Sequence, residues 1–290
     1  MIAEATGSLV GLLATALLIR RKIAVDQNVY ECVGPQQGDK QRKAVKESLD
    51  SLSKDNLKQA PQVKKWDFNW DRRNPADIYR NESEAIEVCR LPRKSRHIYL
   101  VRHGEYNVKP EDDLERTLTD TGIKQAIATG QRLKEWGLTF DKVVISTMTR
   151  ARQTAEHILK QLPEERVKST EMSDFIREGS PCPPSPKSGS FRAPFKFFQD
   201  GARIEAGFRK YFHRTTPDQH KPERLLVVCH ANVIRYFLCR ALQVPEDAWL
   251  RFSVKHGSIT HIEIQPSGRV VARLVGDSGF MPAELIERPK

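Results

Sequence analysis

Residues 98–106 read IYLVRHGEY. Apolar and aromatic side chains run straight into an Arg-His pair, and a glycine follows at once. A short apolar run ended by a breaker reads as a strand buried on both faces of a sheet. The strand spans HIYLVRH, 97–103. It delivers Arg102 and His103 to the sheet edge. Gly104 then allows a sharp turn that brings backbone N–H groups toward a ligand.

Outward from this strand, helix and strand patterns alternate. LTDTGIKQAIATGQRLKEWG (118–137) has Thr119 as candidate N-cap and apolar positions Ile123, Ala126, Ile127 and Leu133, and Gly137 ends it. DKVVIS (141–146) is a second buried strand, and TRARQTAEHILKQL (149–162) a second helix, closed by Pro163. RVKSTEM (166–172) reads as a third strand and IREGSPCPPSPKSGS (176–190) as an irregular loop. ARIEAGFRKYFHR (202–214) reads as a helix, RLLVVCH (224–230) as a strand and NVIRYFLCRAL (232–242) as a helix. SITHIEI (258–264) and VVARLV (270–275) form a hairpin through PSGR. This alternation predicts an α/β domain over 97–290, with a mostly parallel sheet and one antiparallel edge.

In such sheets reactive groups gather beyond the carboxyl ends of the strands. One strand ends at His103 and another at His230, and a third stops just before Thr147, Thr149 and Arg150. A phosphoryl group spreads its negative charge over several oxygens and needs fixed donors such as Arg. Its transfer needs an in-line nucleophile and a proton donor for the leaving oxygen. A neutral imidazole serves as nucleophile when a partner holds its other nitrogen as N–H. Arg102, His103, Arg150, His230 and one acid make such a set. Glu178, at the start of the irregular loop, is the candidate acid. His103, His230 and Glu178 lack metal-ligand spacing, so neither a metal nor another cofactor is expected.

Charge adds little to this. The net charge is +11, with 18 Lys/Arg against 13 Asp/Glu in residues 1–96 (+5) and 30 against 24 in 97–290 (+6). The excess is spread along the chain, so no nucleic-acid partner is expected. It suits an anionic substrate or membrane face. Five cysteines without a Cys-x-x-Cys pair argue against a disulfide framework or thiolate zinc site.

Ahead of the domain, ATGSLVGLLATALLI (5–19) is uncharged, and Arg20, Arg21 and Lys22 follow it. A secretory signal usually carries its positive charge before the apolar run; a buried core helix is an alternative, but this run is apolar on all faces and sits at a terminus. Residues 1–22 are therefore read as a membrane anchor with a basic stop. Residues 23–96 form a polar linker that contains WDFNWD, 66–71. On one helical turn Trp66 and Trp70 share a face, and Asp67 and Asp71 the neighbouring one. The indoles either staple onto their own domain or form an intermolecular contact.

RHGE (102–105), LTDTGIKQA (118–126), STMTRARQTA (146–155) and VVCHANVIR (227–235), in this order, resemble the histidine phosphatase superfamily, phosphoglycerate-mutase-like branch. WDFNWDRR, REGSPCPPSP, DGARIEAGFRKYFHR and GDSGFMP bring the chain closest to the mitochondrial serine/threonine protein phosphatases of that branch. The resemblance implies a three-layer phosphoglycerate-mutase-like fold. It implies His103 as a nucleophile that becomes phosphohistidine, and phosphoryl oxygens held by Arg102, Arg150 and His230. Glu178 would be the proton donor. Trp66, Asp67, Asn69, Trp70 and Asp71 would belong to a multimerisation motif that joins homodimers into larger homo-oligomers. The substrates would be phosphoproteins, hydrolysed without metal at the outer or inner mitochondrial membrane. Where mutases carry an Asn seven positions after the Arg, this chain has Lys109, which favours hydrolysis over phosphoryl transfer. SPKSGSFRAPFKFF (185–198) departs from its relatives. Two other readings remain open: a small-molecule phosphatase and a non-catalytic scaffold.

Overall fold

The computed structural model describes residues 65–74, 81, 94–189, 192–216 and 219–287. The expected anchor at 1–22, and most of the linker, lie outside these residues. Among the described residues, no helix is long and apolar enough to cross a membrane.

Six strands among the described residues form one sheet: β1 (Arg96–Arg102), β2 (Lys142–Ser146), β3 (Thr170–Ser173), β4 (Glu223–Cys229), β5 (Ile259–Ile264) and β6 (Val270–Asp277). Their order across the sheet is β3-β2-β4-β1-β5-β6. The first four pair in parallel. β5 runs antiparallel to β1, and β6 antiparallel to β5. The expected antiparallel edge is thus a hairpin of two strands, turned at Gly268 with φ +87°.

Four α-helices among the described residues connect and cover the sheet: α1 (Asp120–Glu135), α2 (Thr149–Leu159), α3 (Pro194–Tyr211) and α4 (Ala231–Ala241). Side-chain alternation along the strands assigns them to two faces. Ile98, Leu100, Val144, Leu225, Val227 and Cys229 pack with Ile204, Phe208 and Phe212 from the α3 region and Val233, Ile234 and Phe237 of α4. Their neighbours Tyr99, Val101, Val143, Ile145, Leu226 and Val228 pack with Ala126 and Leu133 of α1 and Ala155 and Ile158 of α2. This is a three-layer α/β domain with a core on each side of the sheet. Helix α3 begins at Pro194, eight residues before the expected start at Ala202. Proline suits that first position because its missing N–H has no helical partner there.

The loop after β1 is clamped onto α1. The Thr119 hydroxyl caps α1 by accepting from Gly122 N (3.1 Å), and it donates to Glu105 Oε1 (2.8 Å). A Cβ on Gly104 would lie 2.4 Å from the Gly122 carbonyl oxygen, and one on Gly122 would lie 1.9 Å from the Glu105 carbonyl oxygen. Gly104 is therefore needed for close backbone contact. Its N–H is taken by Thr154 Oγ1 (3.0 Å) rather than offered to a ligand, which corrects the sequence expectation.

The tryptophan segment forms a turn instead of a helix. Both indoles still share a face, because Trp66 and Trp70 pack against the α3/α4 core. Trp70 Nε1 donates to Gly268 O (2.8 Å). Asp71 and Arg214 form a buried ion pair (2.7 Å), with side chains 1% and 4% exposed. Burial alone would raise the Asp71 carboxyl, but its hydrogen bonds with Arg214 outweigh that and hold it below the usual carboxylate value.

Two stability measurements check these contacts. Gly122→Ala gains roughly 1 kcal/mol of helix propensity but meets a backbone carbonyl. We expect a net loss of about 2 kcal/mol or more in urea unfolding, because overpacking dominates. Asp71→Asn leaves Arg214 buried and unpaired, and an expected loss of about 3–5 kcal/mol follows. In the parent, the stabilisation from Asp71 is full above the ordinary Asp range and is lost as pH falls through its lowered folded value.

Candidate active site

Strand order builds the site. β1 and β4 are parallel neighbours, with Arg102 opposite Cys229. The next residue on each strand is therefore a histidine at the same sheet edge. The His103 and His230 rings lie 5.0 Å apart, centre to centre. β2 flanks β4 and ends at Ser146, whose Oγ lies 2.8 Å from His230 Nε2. Arg150 follows in the first turn of α2.

His103 is buried. Its Nδ1 lies 2.8 Å from its neighbour's carbonyl, Gly104 O. A carbonyl only accepts, so Nδ1 carries the proton and Nε2 presents a lone pair. Arg150 Nε donates to that Nε2 (3.2 Å). Arg150 is itself fixed by Asp113 Oδ1 (2.9 Å) and by stacking over the Tyr106 ring (4.6 Å). Tyr106 meets His103 edge-on. Both histidines are held well below the usual imidazole pKa. Burial is the main cause for each, and for His103 the neighbours His230, Arg150 and Arg102 add to it. For His230 the added cause is the surrounding arginines.

Arg102 donates to Val254 O (2.7 Å) and Glu287 Oε2 (3.1 Å), with His256 Nε2 2.7 Å from its Nη2. Glu178 comes from the segment after β3, where Arg203 of α3 holds the carbonyls of Arg177 (2.7 Å) and Glu178 (3.1 Å). Burial raises the Glu178 carboxyl pKa; the Gly179 N–H and the charges of Arg150 and Arg102 pull it back only in part. The Glu178 backbone N–H and Arg150 both reach Met148 Sδ (3.3 and 3.5 Å).

The five residues singled out in the sequence thus lie at one sheet edge. They bring together a neutral imidazole with a free lone pair, a carboxyl group biased toward its protonated form, and two guanidinium groups. Sequence reasoning missed Ser146, Asp113, Tyr106, His256 and Glu287. Ser146, the last residue of DKVVIS, carried a positional signal. Asp113 and Glu287 carried none, since each reaches the site from a distant loop or terminal segment.

Comparison with known proteins adds to this geometry. A family model described as histidine phosphatase superfamily (branch 1) matches residues 98–177 and 201–277. The chain is 50% identical over 232 residues to the serine/threonine-protein phosphatase Pgam5, mitochondrial, of Drosophila melanogaster, covering 76% of this chain and 80% of that one. It is 45% identical over 238 residues to the corresponding Xenopus laevis protein, covering 79% and 86%. Among solved structures, a phosphoglycerate mutase from Plasmodium falciparum is 30% identical, covers 68% of this chain and 95% of its own, and has a TM-score of 0.45.

The lowered imidazole values are checked by NMR titration. Neither His103 nor His230 is expected to protonate as pH passes the ordinary value of about 6.5. The unfolded chain takes up those protons there and the folded chain does not. Stability should therefore decline from about pH 6.5 downward, until the folded-state values are reached.

Proposed function

The chain belongs to the histidine phosphatase superfamily (branch 1), and on that footing we propose that it hydrolyses phosphoserine and phosphothreonine in proteins. His103 Nε2 attacks phosphorus, the bond to the Ser or Thr oxygen breaks, and Glu178 gives its proton to that oxygen. The resulting Glu178 carboxylate then takes a proton from water as the water attacks the phosphohistidine. The P–N bond breaks, and phosphate and neutral His103 are released. Arg102 and Arg150 hold the phosphoryl oxygens. The buried His230 Nδ1 has no partner among the described residues, and a phosphoryl oxygen would supply one. No step calls for a metal.

The observation that carries this reading is the Nδ1 contact of His103 with Gly104 O, which leaves Nε2 to the substrate. The names of the similar proteins support the protein substrate class. They also support a mitochondrial location, and the apolar run 5–19 with its basic flank supports attachment to a membrane there. Assembly through 66–71 is part of the same proposal. With both indoles turned onto their own domain, Phe68, 56% exposed, is the apolar side chain of that motif left to meet another copy.

Three measurements test it. The parent should release phosphate from a phosphothreonine peptide with chelator present, and form an acid-labile phosphoenzyme. His103→Ala should do neither, and turnover by that variant would remove His103 from its role. Loss of a general acid costs about 10²–10⁴-fold. Glu178→Gln should lose that much in phosphoenzyme formation from phosphothreonine, much less in phosphoenzyme formation from p-nitrophenyl phosphate, whose leaving group needs no proton, and should also lose the alkaline limb of its pH profile. Phe68→Ala should shrink the assembly in sizing experiments without altering thermal unfolding. An unchanged assembly would relocate the contact.

A further inference from the structure

The loop after Glu178 and the start of α3 form one wall of a groove of roughly 680 Å³. Asn232, Trp249 and Leu250 form the other. The groove begins at the catalytic end. Ser180 is two residues past Glu178 and Asn232 two past His230, and Asn232 Nδ2 donates to Gly179 O between them (3.0 Å). Its walls are tied together. Trp249 Nε1 donates to Cys182 O (3.0 Å), Ser185 N to Asp247 O (2.8 Å) and Arg251 Nε to Ser185 O (3.2 Å). Pro183, Pro184 and Pro194 stiffen the same wall. A groove held this way requires little ordering on binding.

Its chemistry is one-sided. Lys187 and Arg192 line it, and no Asp or Glu does. Both cations are exposed, and neither pairs with a carboxylate among the described residues, whereas Arg203, Arg214 and Arg240 all do. Phe197, Trp249 and Leu250 add apolar surface. Most of its lining residues, both cations included, fall in 178–200, the stretch that the family model leaves unmatched.

We propose that this groove selects phosphoprotein segments with acidic side chains beside the phosphorylated residue. The extended segment would run from His103 along the groove, its carboxylates meeting Lys187 and Arg192. This rests on the phosphatase reading above. An apolar, proline-walled slot leading from that site fits a polypeptide.

The test uses the full chain and matched phosphothreonine peptides whose flanks carry Asp and Glu or the isosteric Asn and Gln. Turnover and fluorescence-anisotropy binding are measured together. Two exposed charge pairs, each worth a few-fold, should favour the acidic peptide by about tenfold, mostly in KM and less at high salt. Lys187→Glu with Arg192→Glu should erase or invert that preference and leave p-nitrophenyl phosphate turnover unchanged. Equal turnover of and equal affinity for the two peptides would overturn the groove and leave the phosphatase standing. Tighter binding of the acidic peptide without phosphate release would support the groove and remove the phosphatase reading. A preference that survives the double charge reversal would also overturn the groove, since general positive charge would then be its source.

Discussion

Parallel pairing of β1 with β4 sets the positions of Arg102, His103 and His230. Arg102 stands opposite Cys229, so each strand must place its next residue at the same edge, and on each that residue is histidine. A shift of one residue in that pairing would turn each strand's side chains toward the opposite core. Ile98 and Leu100 belong to one core and Tyr99 and Val101 to the other, so such a slip would mismatch both. Burial on two faces therefore fixes the register, and the register fixes the histidines.

Electrostatics at that edge follow from the same burial. Two imidazoles beside three or more guanidinium groups gain nothing by protonating, and desolvation opposes it further. The site stays cationic through its arginines while both imidazoles stay neutral. Glu178 is pushed the other way: burial favours its protonated form despite the nearby Arg150 and Arg102. One environment thus disfavours charge on both the imidazoles and the carboxyl group, which is the arrangement that the proposed phosphoryl transfer to His103 and protonation of a leaving oxygen require.

Much of this was legible in the sequence because it rests on local rules. IYLVRH and LLVVCH read as buried strands, and Thr119 announced the start of α1. What escaped depends on tertiary approach. The need for glycine at position 104 comes from the Gly122 backbone, distant in sequence, and the turn it suggested is not what uses it. The start of α3 was hidden because Phe195 and Phe198 point outward, 56% and 82% exposed, so the first turn lacks amphipathic periodicity. Trp66 and Trp70 were correctly put on one face by a helical spacing that the chain does not adopt. A turn does the same because Gly268 and Arg214 receive it. Asp113, His256 and Glu287 reach Arg150 or Arg102 across the fold, and no spacing along the chain records that.

The domain divides its tasks between two kinds of structure. His103 and His230 stand at the ends of central strands, where a packed core on each side leaves them little freedom. Glu178 and the groove wall lie on a loop braced from α3 by Arg203 and from the turn before β5 by Trp249 and Arg251. Changes within 185–198 can alter the charge and shape offered to a substrate while those braces keep the acid in place. On the proposed reading the sheet sets the phosphoryl chemistry, and a loop that can vary without disturbing a strand sets the choice of substrate.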